Sequence, residues 1–188
     1  MKLILGLGNP GVAYSHTRHN VGFDATDAAA AFFQKKLKKR CLCKYRYARV
    51  PGGIIVQPLT YMNSSGNVLR YFRHLKIDFS DIMVVCDNMD LGAGGLRIRQ
   101  GGGNGGQKGL DSIQEKLGSA DFVRLFIGTG RPGSGVDVVT HVLSAETDPQ
   151  KAQVLDKAVL DASNAIKDFL GGAGLAQLQS VYNRKGLL

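Results

Sequence analysis

KLILGLGNPGVAYSHTRHN, running from Lys2 to Asn20, is the stretch on which the reading of the whole chain turns. Its apolar run Leu3–Leu7, broken by glycine, has the pattern of a short buried strand. Gly6-Leu7-Gly8-Asn9-Pro10-Gly11 then matches the G-x-G-x-x-G spacing with which a backbone approaches a dinucleotide pyrophosphate. The context argues against a nucleotide cradle. Such a cradle opens a helix at its glycines, so that the first amides face the phosphates, whereas helical periodicity here begins only at Val21. Pro10 has no N–H to offer. The acid that would hold a ribose belongs at the end of a second strand, but Asp24 and Asp27 lie inside the helical segment. The glycines are expected instead to shape a tight loop that delivers Asn9 to the surface at a strand end, where α/β folds place their ligands.

Outward from this stretch, Val21, Ala25, Ala28, Ala29, Phe32, Phe33 and Leu37 recur at helical spacing and predict a helix from Val21 to about Lys39. Tyr45–Val50 and Ile54–Gln57 flank Pro51-Gly52-Gly53, a hairpin signal. Asn63-Ser64-Ser65-Gly66 offers N-cap residues for a helix ending near Lys76. Ile82–Cys86 is a continuous apolar run, read as a central strand with Asp87 at its carboxyl end. Leu96–Arg99 and Val123–Ile127 read as further strands, separated by the glycine loop Gly101–Gly106 and a helix over Lys108–Leu117. Helical patterns follow at Val136–Leu143, Val154–Leu170 and Leu175–Tyr182, with no internal repeat and no linker. The expectation is a single α/β domain over residues 1–188 with a mixed sheet, since the chain holds both a hairpin and strand–helix alternation.

A chain of 188 residues with 44% hydrophobic and 21% charged residues is an ordinary soluble composition, large enough to bury a core without staples. No apolar run is long enough to span a bilayer, and Met1-Lys2 leads straight into Leu3-Ile4-Leu5 with no leader pattern, so a cytoplasmic location is expected. Cys41, Cys43 and Cys86 do not make a disulfide framework, and Cys41-Leu42-Cys43 lacks a second Cys/His pair, which leaves reduced thiols and no metal site. The net charge of +9 is the informative quantity. Eight of the fifteen residues from Lys35 to Arg49 are Lys or Arg with no acid among them. Such a block is either a solvated helix end or a surface for a polyanion, and for a cytosolic chain that polyanion is nucleic acid.

Several motifs in fixed order then carry a resemblance: GLGNPG-x-x-Y-x-x-TRHNVGF (Gly6–Phe23), QPLTYMNSSG (Gln57–Gly66), VVCDNMDL (Val84–Leu91), the glycine loop into KGLDSI (to Ile113), RLFIGTGRPG (Arg124–Gly133) and VYNR (Val181–Arg184). Together they resemble the bacterial-type peptidyl-tRNA hydrolases over nearly the whole chain. The resemblance implies a twisted mixed sheet wrapped by helices. It also implies an esterase that cuts the bond between a peptide and the tRNA 3′ ribose, acting as a monomer without metal or cofactor. By the same likeness His19 is the general base and Asp87 orients it. Asn9 distinguishes N-blocked from free aminoacyl esters, Met62 and Asn63 contact substrate, and Tyr14 and Tyr61 lie at the tRNA or peptide side of the cleft. Lys108 binds substrate, and Asn20, Arg99, Gln107 and Arg131 are expected phosphate contacts.

The chemistry is coherent in its own terms. Hydrolysis by water needs a base that titrates near neutrality, and a carboxylate on the other ring nitrogen fixes tautomer and orientation, as in a triad without its serine. The chain departs from the family pattern in two places. Gln107-Lys108 stands where His-Asn or His-Lys is usual, so a neutral donor replaces a titrating group. Phe126 occupies a position that is often basic, and one phosphate contact is expected to be missing there. Two other functions compete: a non-catalytic RNA-binding relative, which would have no need of His19 with Asp87, and a nucleotide-dependent enzyme, disfavoured by Pro10.

Overall fold

The computed structural model describes residues 1–187. Seven strands form one mixed sheet in the order β2-β3-β4-β1-β5-β7-β6. They are β1 (Lys2–Gly6), β2 (Lys38–Lys39), β3 (Tyr45–Val50), β4 (Gly53–Pro58), β5 (Ile82–Asn88), β6 (Leu96–Gln100) and β7 (Val123–Gly128). The four inner strands β4, β1, β5 and β7 run parallel, β3 and β6 flank them antiparallel, and the two-residue β2 adds antiparallel outside β3. Ile82 to Cys86 are buried on both faces, which is why this strand reads as an unbroken apolar run. One face is covered by α1 (Val21–Phe32), α4 (Pro149–Leu170) and α5 (Leu175–Tyr182), the other by a 3-10 helix over Met62–Tyr71 and by α2 (Lys108–Leu117). A short α3 (Val138–Val142) stands beside the carboxyl ends of the strands.

The first glycines act by close approach. A Cβ on Gly6 would sit 2.3 Å from Thr26 Oγ1, and one on Gly22 would sit 2.4 Å from the Val85 carbonyl oxygen. Helix α1 therefore lies directly on β1 and β5, and the turn before it is carried over the strand ends. This corrects the expected role of the motif. Asn9 is not delivered to the surface but is buried at 8% exposure.

Four further expectations change. Helix α1 stops at Phe32 because Gln34 takes a left-handed backbone, φ 55°. Phe33 and Leu37 still pack on the core, so the apolar rhythm outlasts the helix. Lys38 and Lys39 then pair with Tyr47 and Arg46, so the basic block belongs to a hairpin rather than to a helix end. The segment after Asn63 is a 3-10 helix that already begins at Met62, with Tyr61 at its cap position, so Asn63 caps nothing. Helix α4 starts earlier than its apolar stripe: Asp148 accepts from the Gln150 and Lys151 amides and Pro149 occupies the first turn.

Candidate active site

The loops after β1, β4 and β5 meet the turn that precedes α1, and all bring polar groups to one cleft of about 300 Å3 at the carboxyl ends of the parallel strands. Asn20, the last residue of that turn, grips Asn9 from behind. Its Oδ1 accepts the Asn9 N–H at 2.8 Å and its Nδ2 donates to the Asn9 carbonyl at 3.0 Å. The Asn9 side chain in turn accepts the Met62 N–H through Oδ1 at 2.9 Å. Its oxygen is thus occupied, and the Nδ2 donor is the group left for the cleft.

His19 lies one residue before Asn20, and its Nδ1 faces Asp87 Oδ2 at 2.9 Å. The His19 side chain is 16% exposed and that of Asp87 5%. Asp87 is also held from its other side, where Gln107 Nε2 donates to Oδ1 at 2.7 Å. Gln107 completes its bonding by accepting the Gly109 N–H, which caps α2. With Nδ1 donating to a carboxylate, a neutral imidazole carries its lone pair on Nε2, the nitrogen of a ring that lines the cleft.

The turn bearing His19 is clamped to the segment after α3. Arg18 donates to the carbonyls of His141, Ser144 and Ala145 and to Ser144 Oγ, and it pairs with Glu146 at 2.7 Å with both side chains nearly buried. Burial alone would push the Glu146 carboxyl up, but the Asp148 and Thr147 amides and the Arg18 guanidinium hold it below the usual range. The cleft wall above this clamp is apolar, built from Val138, Val139, Val142 and Leu143. On the opposite rim stand Tyr61, 66% exposed, and Asn63, whose Oδ1 accepts from Ser64 Oγ at 3.4 Å and leaves its NH2 outward. Lys108 opens α2 at the cleft edge.

Two of the expected phosphate contacts are internal. Asn20 and Gln107 are 4% and 7% exposed and spend their polar atoms on Asn9 and Asp87, so both are internal supports. Arg131 is bound to Asp90 on the surface at 2.6 Å. Arg99 donates to the Gly103 carbonyl beneath the glycine loop and stacks over Phe126. Phe126 itself is 1% exposed and belongs to the core. Tyr14 lies in a separate turn and is not part of the cleft lining. Nothing in the sequence marks the Arg18 clamp or the valine wall, since Arg18 stands there only as a neighbour of His19 and the valines only as a short helical pattern. The three cysteines are unbridged, and no cluster of three or more metal-ligating side chains occurs among the described residues.

The model of the family described as "Peptidyl-tRNA hydrolase" matches residues 3–187. The chain belongs to the peptidyl-tRNA hydrolase family. A peptidyl-tRNA hydrolase of Syntrophomonas wolfei is 42% identical over 168 residues, covering 84% of this chain and 89% of the relative. One from Chlorobium phaeovibrioides is 40% identical over 189 residues, covering 98% of both. The crystal structure of the Acinetobacter baumannii peptidyl-tRNA hydrolase superposes with a TM-score of 0.85 at 32% identity, over 97% of this chain and 96% of that one. Membership thus extends from the family's sequence pattern to its fold, and the cleft described above lies within the matched residues. None of the described helices is long and apolar enough to cross a membrane.

Proposed function

We propose that this chain hydrolyses the ester bond joining a peptide to the 3′ ribose of tRNA, with His19 as general base. The observation that carries the reading is the 2.9 Å pair of His19 Nδ1 and Asp87 Oδ2 in the floor of the cleft. Water bound at Nε2 gives up a proton to the ring as its oxygen attacks the ester carbonyl. Asp87, kept in place by Gln107, stabilises the imidazolium that forms. Collapse of the tetrahedral intermediate expels the ribose oxygen, and the proton on Nε2 passes to it. General-base assistance of this kind contributes about 10²–10⁴ in rate. Charge developing on the carbonyl oxygen is met by neutral donors, the Asn63 side-chain amide and the Lys108 N–H that opens α2, the Gly109 N–H being spent on Gln107.

Asn9 supplies the selectivity. Its oxygen is tied to Met62, so it can only donate. The amide carbonyl of an N-blocked substrate accepts that bond, whereas a free α-ammonium offers nothing but donors. The valine wall of α3 faces the peptide side chains and keeps bulk water from the ester.

The test is release of N-acetyl amino acid from N-acetyl-aminoacyl-tRNA by the purified chain. Turnover, with free aminoacyl-tRNA cleaved at least about tenfold more slowly, is expected from the lost Asn9 bond. Tight binding without turnover at any pH would make the chain an RNA-binding relative instead, and equal cleavage of both esters would remove Asn9 from its role.

A further inference from the structure

The cleft has room for an ester and its nearest neighbours, not for an RNA the size of tRNA, so contacts with the polymer must lie outside it. The distribution of charge says where. Residues 28–77 hold 11 of the 24 Lys and Arg and none of the 15 Asp and Glu, leaving 13 cations against all 15 acids for the rest of the chain. The fold gathers this segment at one side, because β2, β3 and β4 are consecutive at the end of the sheet. The 3-10 helix packs beside them, with the Tyr71 ring 5.0 Å and the Phe72 ring 5.4 Å from that of Tyr45. Ten of the eleven cations are exposed. Among the described residues only Arg46 meets a carboxylate, that of Asp27.

Two grooves cross this surface. One, of about 440 Å3, lies between Lys44, Arg70, Tyr61 and Tyr71. The other, of about 330 Å3, lies between Arg40, Arg49, Tyr47 and Tyr71. Tyr61 walls both the catalytic cleft and the first groove, and Tyr71 walls both grooves. The three depressions therefore adjoin in sequence as a track, the cleft meeting the first groove at Tyr61 and the first groove meeting the second at Tyr71.

We propose that this track binds the backbone of the substrate tRNA outside the cleft, an inference that rests on the ester-hydrolase reading. Phosphates lie against Arg40, Lys44, Arg49 and Arg70, whose guanidinium rests on the Tyr71 ring at 4.7 Å and donates to its hydroxyl, and an unpaired base stacks on the exposed Tyr61. Interleaved cations and aromatic planes suit a single-stranded nucleic acid, which presents both phosphate and π-face at each step. An acidic protein would use the charge but not the tyrosine planes, and a membrane surface would call for apolar side chains in place of tyrosine.

The experiment compares wild type, K44Q/R70Q in the groove next to the cleft, and K151Q/K157Q on the exposed side of α4, which removes the same charge elsewhere. Uncharged tRNA is titrated across a salt series, and KM and kcat are measured on N-acetyl-aminoacyl-tRNA. For K44Q/R70Q, loss of two phosphate contacts lowers the slope of log Kd against log salt by about 1.5 and raises KM by about tenfold, with a smaller change in kcat. K44R/R70K restores both values, and K151Q/K157Q stays near wild type. An unchanged slope and KM would overturn the proposal. So would an equal loss in K151Q/K157Q. The tRNA titration needs no ester, so a wild-type chain that binds tRNA but never hydrolyses it would count against the activity alone.

Discussion

Asn20→Ala separates an internal support from a phosphate contact. Asn20 satisfies both backbone groups of Asn9, at 2.8 and 3.0 Å, from a position 4% exposed. Truncation leaves a buried N–H and a buried carbonyl without partners, at about 1–3 kcal/mol each. A water entering the vacated space would recover part of this, so about 2–4 kcal/mol of stability is lost in total. For a domain of this size each kcal/mol moves Tm by about 2–4 °C, giving a fall of roughly 5–15 °C. Asn9 also loses the grip that aims its amide, so kcat drops by at least about tenfold on N-acetyl-aminoacyl-tRNA. The salt slope of tRNA binding stays at the wild-type value. Asn20→Asp is no remedy, because it keeps the acceptor for the Asn9 N–H while setting a carboxylate oxygen against the Asn9 carbonyl. The assays are a thermal melt, single-turnover hydrolysis and a salt titration on the same preparations. A variant with wild-type Tm and a slope shallower by about one would refute the reasoning and return Asn20 to the phosphates.

Gln107→Leu strips a charge-assisted bond from Asp87 and the cap from α2, so kcat falls by about 10–100-fold from a loss of roughly 1.5–3 kcal/mol, whereas Gln107→His keeps a donor and most of the activity; a Leu variant within twofold of wild type would contradict this. Glu146→Gln probes the Arg18 clamp through pH. The Glu146 carboxyl is lowered from its reference value of 4.5, so its stabilisation is present above that value and is lost as pH falls through the folded-state value. Near neutrality the variant therefore melts lower, by about 1–3 kcal/mol, and its curve converges on wild type in acid; two parallel Tm–pH curves would exclude the clamp as the source.

The legible parts of the fold are those that local chemistry dictates. β5 shows as an unbroken apolar run and β7 as a strand despite Arg124 within it, and the bounds of α2 are legible because glycines punctuate both its ends. The end of α1 was not legible, because Phe33 and Leu37 pack on the core from non-helical backbone and prolong the periodicity. The early start of α4 is written in Asp148-Pro149, which lie outside the apolar stripe Val154–Leu170. At the site, the family likeness marks His19 and Asp87, and their residue types, an imidazole and a carboxylate, suit the chemistry it implies. Asn20, Gln107 and Arg18 carried no such label. Their roles depend on partners that the fold brings together from distant positions, and an amide that braces another residue looks in sequence like one that binds phosphate. Phe126 shows the opposite case, a missing cation that the burial of its side chain makes plain.

The account stands on one proton transfer, and single-turnover hydrolysis by His19→Ala measures it most directly. With Asp87, Gln107 and Asn9 still in place, the variant should bind substrate with near-wild-type affinity and cleave it at least about 10²-fold more slowly. Cleavage by the alanine variant at a rate close to wild type would mean that the water is activated by some other group.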